Sequence, residues 1–165
     1  MQMNDQPEVK RLSEIEKLPE VKDLLPHDEP MVLLNRVISV EEISIHCQAD
    51  VTEANLFFDH EKRVIPAYVG IEYMAQSIAA WSGYHARKRQ ESPPIGFLLG
   101  SRRYNTELGA FHENMVLDIF AEQVMEDSGM AVFSGRIEHN GTLIAQCQLN
   151  VYVPDEDKLQ EMKKG

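Results

Sequence analysis

Cysteine is scarce in this chain. Cys47 and Cys147 are the two in 165 residues, so no disulfide framework can be read. Cations are outnumbered as well: 16 Lys and Arg stand against 27 Asp and Glu, a net charge of −11. Coating nucleic acid or an anionic membrane needs clustered positive charge, so neither is an expected partner. The opening stretch MQMNDQPEVKRLSEIEK has no apolar h-region, which gives the expectation of no signal peptide and a cytoplasmic protein. There is no His-x-x-x-His pair, no Cys-x-x-Cys pair and no Gly-rich phosphate loop, so no metal, nucleotide or other cofactor is indicated. What the chain does have is 43% apolar residues, enough for one domain with a sizeable core.

Three regions differ in character. Residues 1–24 are polar and broken by prolines, with room for one short helix over Leu12–Leu18 before Pro19 stops it. Residues 25–154 carry the domain, and 155–165 form a charged tail. Met31–Val40 is apolar and branched and predicts a buried strand. From Ile43 to Val51 apolar and polar residues alternate strictly, the signature of a half-buried strand with Cys47 on the dry face and His46 on the wet one. A loop, 52–66, leads to Pro66 and then to a helix in which Glu72 is the sole charge between Ala67 and Tyr84. Gly70, Gln76, Ser77, Ser82 and Gly83 dilute its hydrophobicity, so it predicts a buried core helix rather than a membrane span. Tyr68, Tyr73, Met74, Trp81 and Tyr84 are expected in its packing. Strands follow over Ile95–Tyr104, Met115–Met125, Met130–Glu138 and Leu143–Val153. Asp127-Ser128-Gly129 and Asn140-Gly141 turn the last three into hairpins. In the final strand Leu143, Ala145, Cys147, Leu149, Val151 and Val153 should face inward.

A lone helix that is apolar all round must be wrapped, and a curved antiparallel sheet is what remains to wrap it. The expected architecture is therefore α+β, a single hotdog fold. Its uncovered side and sheet edge favour a dimer.

Burying a carboxylate is costly unless it is paired or neutral. Glu72 consequently reads two ways: as a structural group hydrogen-bonded to a nearby loop, or as the acid of a site. Helical spacing aligns it with Gln76, then Ala79 or Ala80, then Gly83, a floor suited to a narrow channel. His60 lies twelve residues upstream of Glu72 and offers a proton acceptor. Free backbone N–H groups around Ala67 to Val69, just after Pro66, offer an oxyanion site. Cys47 and Cys147 read as packing thiols. His46, His85, His112 and His139 show no evident partner in the sequence.

The stretch FFDHEKRVIPAYVGIEYMAQ resembles the active-site segment of hotdog 3-hydroxyacyl-acyl-carrier-protein dehydratases, with Phe57-Phe58, His60, Pro66, Gly70, Glu72 and Gln76 at the comparable positions. LLPHDEPMVLLNRV resembles that family's first-strand region, and PAYVGIEYMAQ with FLLGSRRY looks closest to the dehydratase-like proteins of aryl polyene biosynthesis. The resemblance implies Glu72 and His60 as catalytic, and Pro66, Ala67, Gly70 and Gln76 as substrate-binding. It implies a substrate held by 4′-phosphopantetheine on an acyl carrier protein. There is one departure. The family's histidine sits in Gly-His-Phe-Pro, whereas here it is Asp59-His60-Glu61-Lys62, which leaves His27 as the fallback base. Thioester hydrolysis, or an acyl-binding subunit completed by a second hotdog protein, are the alternative activities. Lys62-Arg63, Arg87-Lys88-Arg89 and Arg102-Arg103 are the local cations available to an acidic carrier, because net charge is screened beyond about 8 Å.

Overall fold

The computed structural model describes residues 18–27, 29–92, 96–154, 160, 161 and 164. The expected helix over Leu12–Leu18 (Leu18 apart) and most of the charged tail lie outside the described residues. In chain order the elements are α1 Val21–Leu24, β1 Arg36–Val40, β2 Ser44–Asp50, β3 Val64–Pro66, a 3-10 turn Ala67–Val69, α2 Gly70–Lys88, β4 Phe97–Thr106, β5 Ala110–His112, β6 Val116–Asp127, β7 Met130–His139 and β8 Thr142–Tyr152. Six strands form one antiparallel sheet in the order β1-β2-β6-β7-β8-β4, while β3 and β5 pair with each other. This sheet wraps α2, and the fold is the expected hotdog.

Sequence pattern explains each part. On β2 burial alternates residue by residue, with Ile45, Cys47 and Ala49 buried, and Cys47 faces Ile119 across the β2–β6 ladder. Between Val69 and Ala86 no residue of the helix region is fully exposed. Tyr73, Met74 and Ala80 are completely buried against the sheet and its flanks. His85, Arg87 and Lys88 occupy the last turn of α2, where positive charge complements the helix dipole. Asn140 and Gly141 have φ of 51° and 81°, the left-handed pair that a two-residue hairpin requires.

Four expectations need correction. Of Met31–Val40 only Arg36–Val40 is strand. Asn35 N–H still donates to the Gln48 carbonyl of β2, but at 31 and 33 the backbone bonds to a side chain: Leu33 N–H donates to Gln76 Oε1 at 2.9 Å, and Gln76 Nε2 donates to the Met31 carbonyl at 2.6 Å. The 52–66 loop ends in strand β3, which pairs with β5. On β8 the alternation breaks at its start. Leu143 is exposed and Ile144 buried, because the β7–β8 register slips between Ile137 and Glu138 and such a bulge reverses facing. Tyr68 is 64% exposed rather than packed.

The N-terminal strap is seated on α2 at a second point. A Cβ on Gly83 would lie 2.1 Å from the Leu24 carbonyl oxygen, so the absence of a side chain is what lets α1 approach. Together, Gln76 and Gly83 fix the path of residues 21–27 and 29–33 along the helix.

Candidate active site

That path brings His27 to Glu72. His27 Nε2 lies 3.9 Å from Glu72 Oε1, with the two side chains 28% and 39% exposed. Glu72 is therefore half-buried, not sunk into the core as its apolar neighbours suggested. No arginine holds it among the described residues. Its other polar neighbour is Gln76 Nε2 at 3.4 Å, a long contact beside the two short bonds Gln76 makes to the strap. His27 Nδ1 is buried and has no hydrogen-bond partner among the described residues.

A cavity of about 200 Å³ opens beside this pair. His27 and Glu72 line it together with Ala75, Ala79 and Ser82 of α2, Leu98 of β4 and Val151 of β8. It thus has a polar end, where a proton donor and acceptor face each other, and walls that are otherwise mostly apolar. Such a shape accepts a molecule with a reacting polar head and an apolar tail.

Of the stripe expected from Glu72, Ala79 lines the cavity, whereas Gln76, Ala80 and Gly83 do not. From Glu72 the floor runs three, then four, then three residues on, through Ala75, Ala79 and Ser82. The line through Gln76, Ala80 and Gly83 faces packed neighbours instead, and all three of those residues are buried. Either line is compatible with a 3.6-residue repeat. Only the position of the strap, unreadable from the helix alone, selects between them.

The other expected site residues lie elsewhere. His60 is exposed, its ring edge-on to Phe58 at 5.3 Å between centroids, and it does not line the Glu72 cavity. Neither do Pro66, Ala67, Gly70 and Gln76. Pro66 pairs with Ala110, and Ala67 N–H donates to the Gly109 carbonyl at 3.1 Å, so that donor is already engaged. Gly70 lies under the ring of Tyr104, whose hydroxyl donates to the Ala67 carbonyl. Beside His60, Asp59 is occupied by the backbone N–H groups of Lys62 and Glu61. Those bonds hold its carboxyl below the ordinary range.

Among the cations, Arg63 bonds to both Glu53 and Glu113, whereas Arg102 and Arg103 are exposed on β4, the strand that also carries Leu98 of the cavity wall. Burial pushes the Cys47 thiol up to about 12. It stays protonated at neutral pH, in keeping with a packing role. Three histidines have partners that the sequence did not reveal: His46 bonds Asp118 at 2.7 Å, and His85 and His139 meet the carbonyls of Glu41 and Val116.

Comparison with known proteins places the chain in a family. The family model for ApeP-like proteins, described as ApeP dehydratase, matches residues 19–164. The 3-hydroxyacyl-[acyl-carrier-protein] dehydratase FabZ of Pseudothermotoga lettingae is 26% identical over 140 residues, covering 84% of this chain and 97% of its own. Among solved structures, the dehydratase heterocomplex ApeI:P from Xenorhabdus doucetiae is similar at 34% identity and TM-score 0.82, over 90% of this chain and 100% of that one. A hypothetical thioesterase from Streptococcus pneumoniae, solved with coenzyme A, shares the fold at 14% identity and TM-score 0.57, over 72% of this chain and 84% of its own. No helix of the described residues is long and apolar enough to cross a membrane. With its family match running from the N-terminal strap through the whole sheet, this chain belongs to the ApeP-like dehydratase family.

Proposed function

We propose that the chain dehydrates 3-hydroxyacyl thioesters presented on an acyl carrier protein. The observation that carries this reading is the Nε2–Oε1 approach of 3.9 Å between His27 and Glu72 at the polar end of an otherwise apolar cavity. The acyl chain lies along Ala75 and Ala79. His27 takes a proton from C2, the C3–O bond breaks, and Glu72 gives a proton to the departing hydroxyl, which leaves as water. The electron pair of the broken C2–H bond becomes the C2=C3 double bond, and the thioester stays on its carrier. The proton gained by His27 then passes to Glu72 and resets the pair. No redox partner is consumed.

The carrier approaches from the β4 side, where Arg102 and Arg103 are exposed on the strand that supplies Leu98. Arg63 is less available because two glutamates already hold it. Reversing the charge of residues 102 and 103 should raise KM for a carrier-bound substrate and leave a small pantetheine substrate unaffected. Unchanged carrier-dependent turnover after that reversal, and after reversal of 87–89, would refute this docking.

A second reading is favoured by one position. His60 is exposed and absent from the cavity of its own chain, and the similar ApeI:P structure is a heterocomplex. On this reading the chain is one subunit of a hotdog dimer, and a second hotdog protein completes the site. Mass spectrometry of a 3-hydroxyacyl carrier tests both readings, with the chain alone and with such a partner. Loss of one water from the substrate by the chain alone, abolished in Glu72→Gln and in His27→Ala, supports the first. Turnover only in the mixture, lost in His60→Ala but kept in His27→Ala, supports the second. Release of the free acid instead would establish thioester hydrolysis.

A further inference from the structure

We infer that a second chamber beyond the Glu72 cavity receives the far end of an extended acyl chain, with Ser82 at the passage between the two. The inference deepens the proposed reaction and rests on it for the identity of the ligand. A trough of about 600 Å³ adjoins the cavity, and the two share Ile78, Ser82, Val151 and Val153 as a common wall. They are therefore successive parts of one path along α2.

The helix sets the scale of that path. At 1.5 Å per residue, Ser82 lies about 15 Å along the axis from Glu72, and His85 lies about 20 Å from it. A short acyl chain is accommodated before Ser82, whereas a long one must pass it. Between Ile78 and Trp81 the helix offers Ala79 and Ala80, and at 82 and 83 serine and glycine. Ser82 is the small residue that faces both spaces, so its size decides whether they communicate.

The chamber is also held open. Trp81 and Phe133 wall it edge to face, 5.5 Å between ring centroids. Trp81 Nε1 donates to the Glu41 carbonyl at 3.2 Å, and the His85 ring nitrogen meets the same carbonyl at 2.9 Å. These bonds engage the indole N–H and one imidazole nitrogen, and both rings line the space. Indole and imidazole side chains left free would otherwise settle into an apolar trough of this kind. Glu42, Arg89, Gln123 and Glu126 also line it, so the trough has polar as well as apolar walls.

Trp81 is the single tryptophan of the chain and lines this chamber, so the tryptophan emission comes from its wall. The test titrates the full-length protein with non-hydrolysable S-alkyl pantetheine thioethers of increasing chain length, following affinity and Trp81 emission. Short chains should bind without changing the emission. Above a threshold length the emission should shift to the blue. Ser82→Phe should remove that shift and weaken long-chain binding by about tenfold or more beyond whatever it does to short chains. Emission that ignores chain length across the bound series would overturn the inference, as would equal weakening of short and long chains in Ser82→Phe. The readout is binding alone, so a protein that shows the length-dependent shift but never dehydrates would sink the proposed reaction and leave the chamber standing. Turnover of long chains with an indifferent Trp81 would do the reverse. Failure of every chain to bind would overturn both.

Discussion

Two faces of α2 can be compared residue by residue. One carries Tyr73, Gln76, Ala80 and Gly83, all buried; the other carries Glu72, Ala75, Ala79 and Ser82, all only partly covered. Composition hardly separates them, since each has one polar residue near the N-terminal end followed by small ones. What differs is the neighbour. The first face meets the N-terminal strap, which fits so closely that a methyl at position 83 would collide with Leu24. The second meets Leu98 and Val151 across a gap. Close packing makes the first face a support and leaves the second free to be a site.

The sharpest way to break the comparison is at Gln76, which ties the two faces together. Gln76→Leu keeps the volume but orphans the Leu33 N–H and the Met31 carbonyl, and each orphaned group that stays buried costs about 1–3 kcal/mol. The strap should loosen, and turnover should fall together with Tm. Protection of the Leu33 amide in hydrogen exchange measures the loss directly, and unchanged protection would mean that the clamp is not what holds the strap.

Adjacent alanines offer the next test. Ala80→Leu overpacks the buried face and should cost about 1–3 kcal/mol. Ala79→Leu, one residue away, extends into the cavity and should leave stability within about 0.5 kcal/mol, yet lower turnover by filling substrate space. Urea melts of the two variants compare them, and equal destabilisation would erase the distinction between the faces.

Reactivity of the buried sheet residues gives a smaller effect. With the Cys47 thiol pushed up to about 12, alkylation at neutral pH should be negligible in the folded protein and fast once it is unfolded. Labelling followed by peptide mapping checks this.

The smallest effect belongs to the outer sheet face. Arg36 hydrogen-bonds Asp50 there, and that bond holds the carboxyl below its ordinary 3.8. A lowered carboxyl stabilises the fold fully above its unfolded value and loses that contribution as pH falls through its folded value. The pair is partly exposed, so Asp50→Asn should cost less than about 1 kcal/mol at neutral pH and progressively less as pH falls below 3.8. Chemical denaturation at neutral pH and near pH 3 reads the difference.

Much of the fold was legible in the chain. Alternation marked β2, the unbroken apolar run marked α2, and Asn140-Gly141 marked a hairpin, because each is a local pattern. The slip that exposes Leu143 was not legible, since a bulge depends on which residue of β7 stands opposite. The site was legible only at Glu72. Its companion His27 lies 45 positions away in sequence, and LLPH just before the first strand was the one signal for it. His60 drew attention through closeness in sequence, which says little about closeness in space. Ala75 and Ser82 were missed as cavity walls because no spacing rule distinguishes the i+3 line from the i+4 line, and Leu98 and Val151 because strand alternation does not say which part of the helix a residue meets.

The attachment of the strap through a glutamine, and not through a strand ladder, imposes an order in time. Residues 21–33 leave the ribosome well before position 76, yet they have nowhere to lodge until that amide is in place. A nascent chain ending short of α2 holds the histidine and lacks its counterpart. The approach of His27 to Glu72 thus comes into being late, as a by-product of completing the interior.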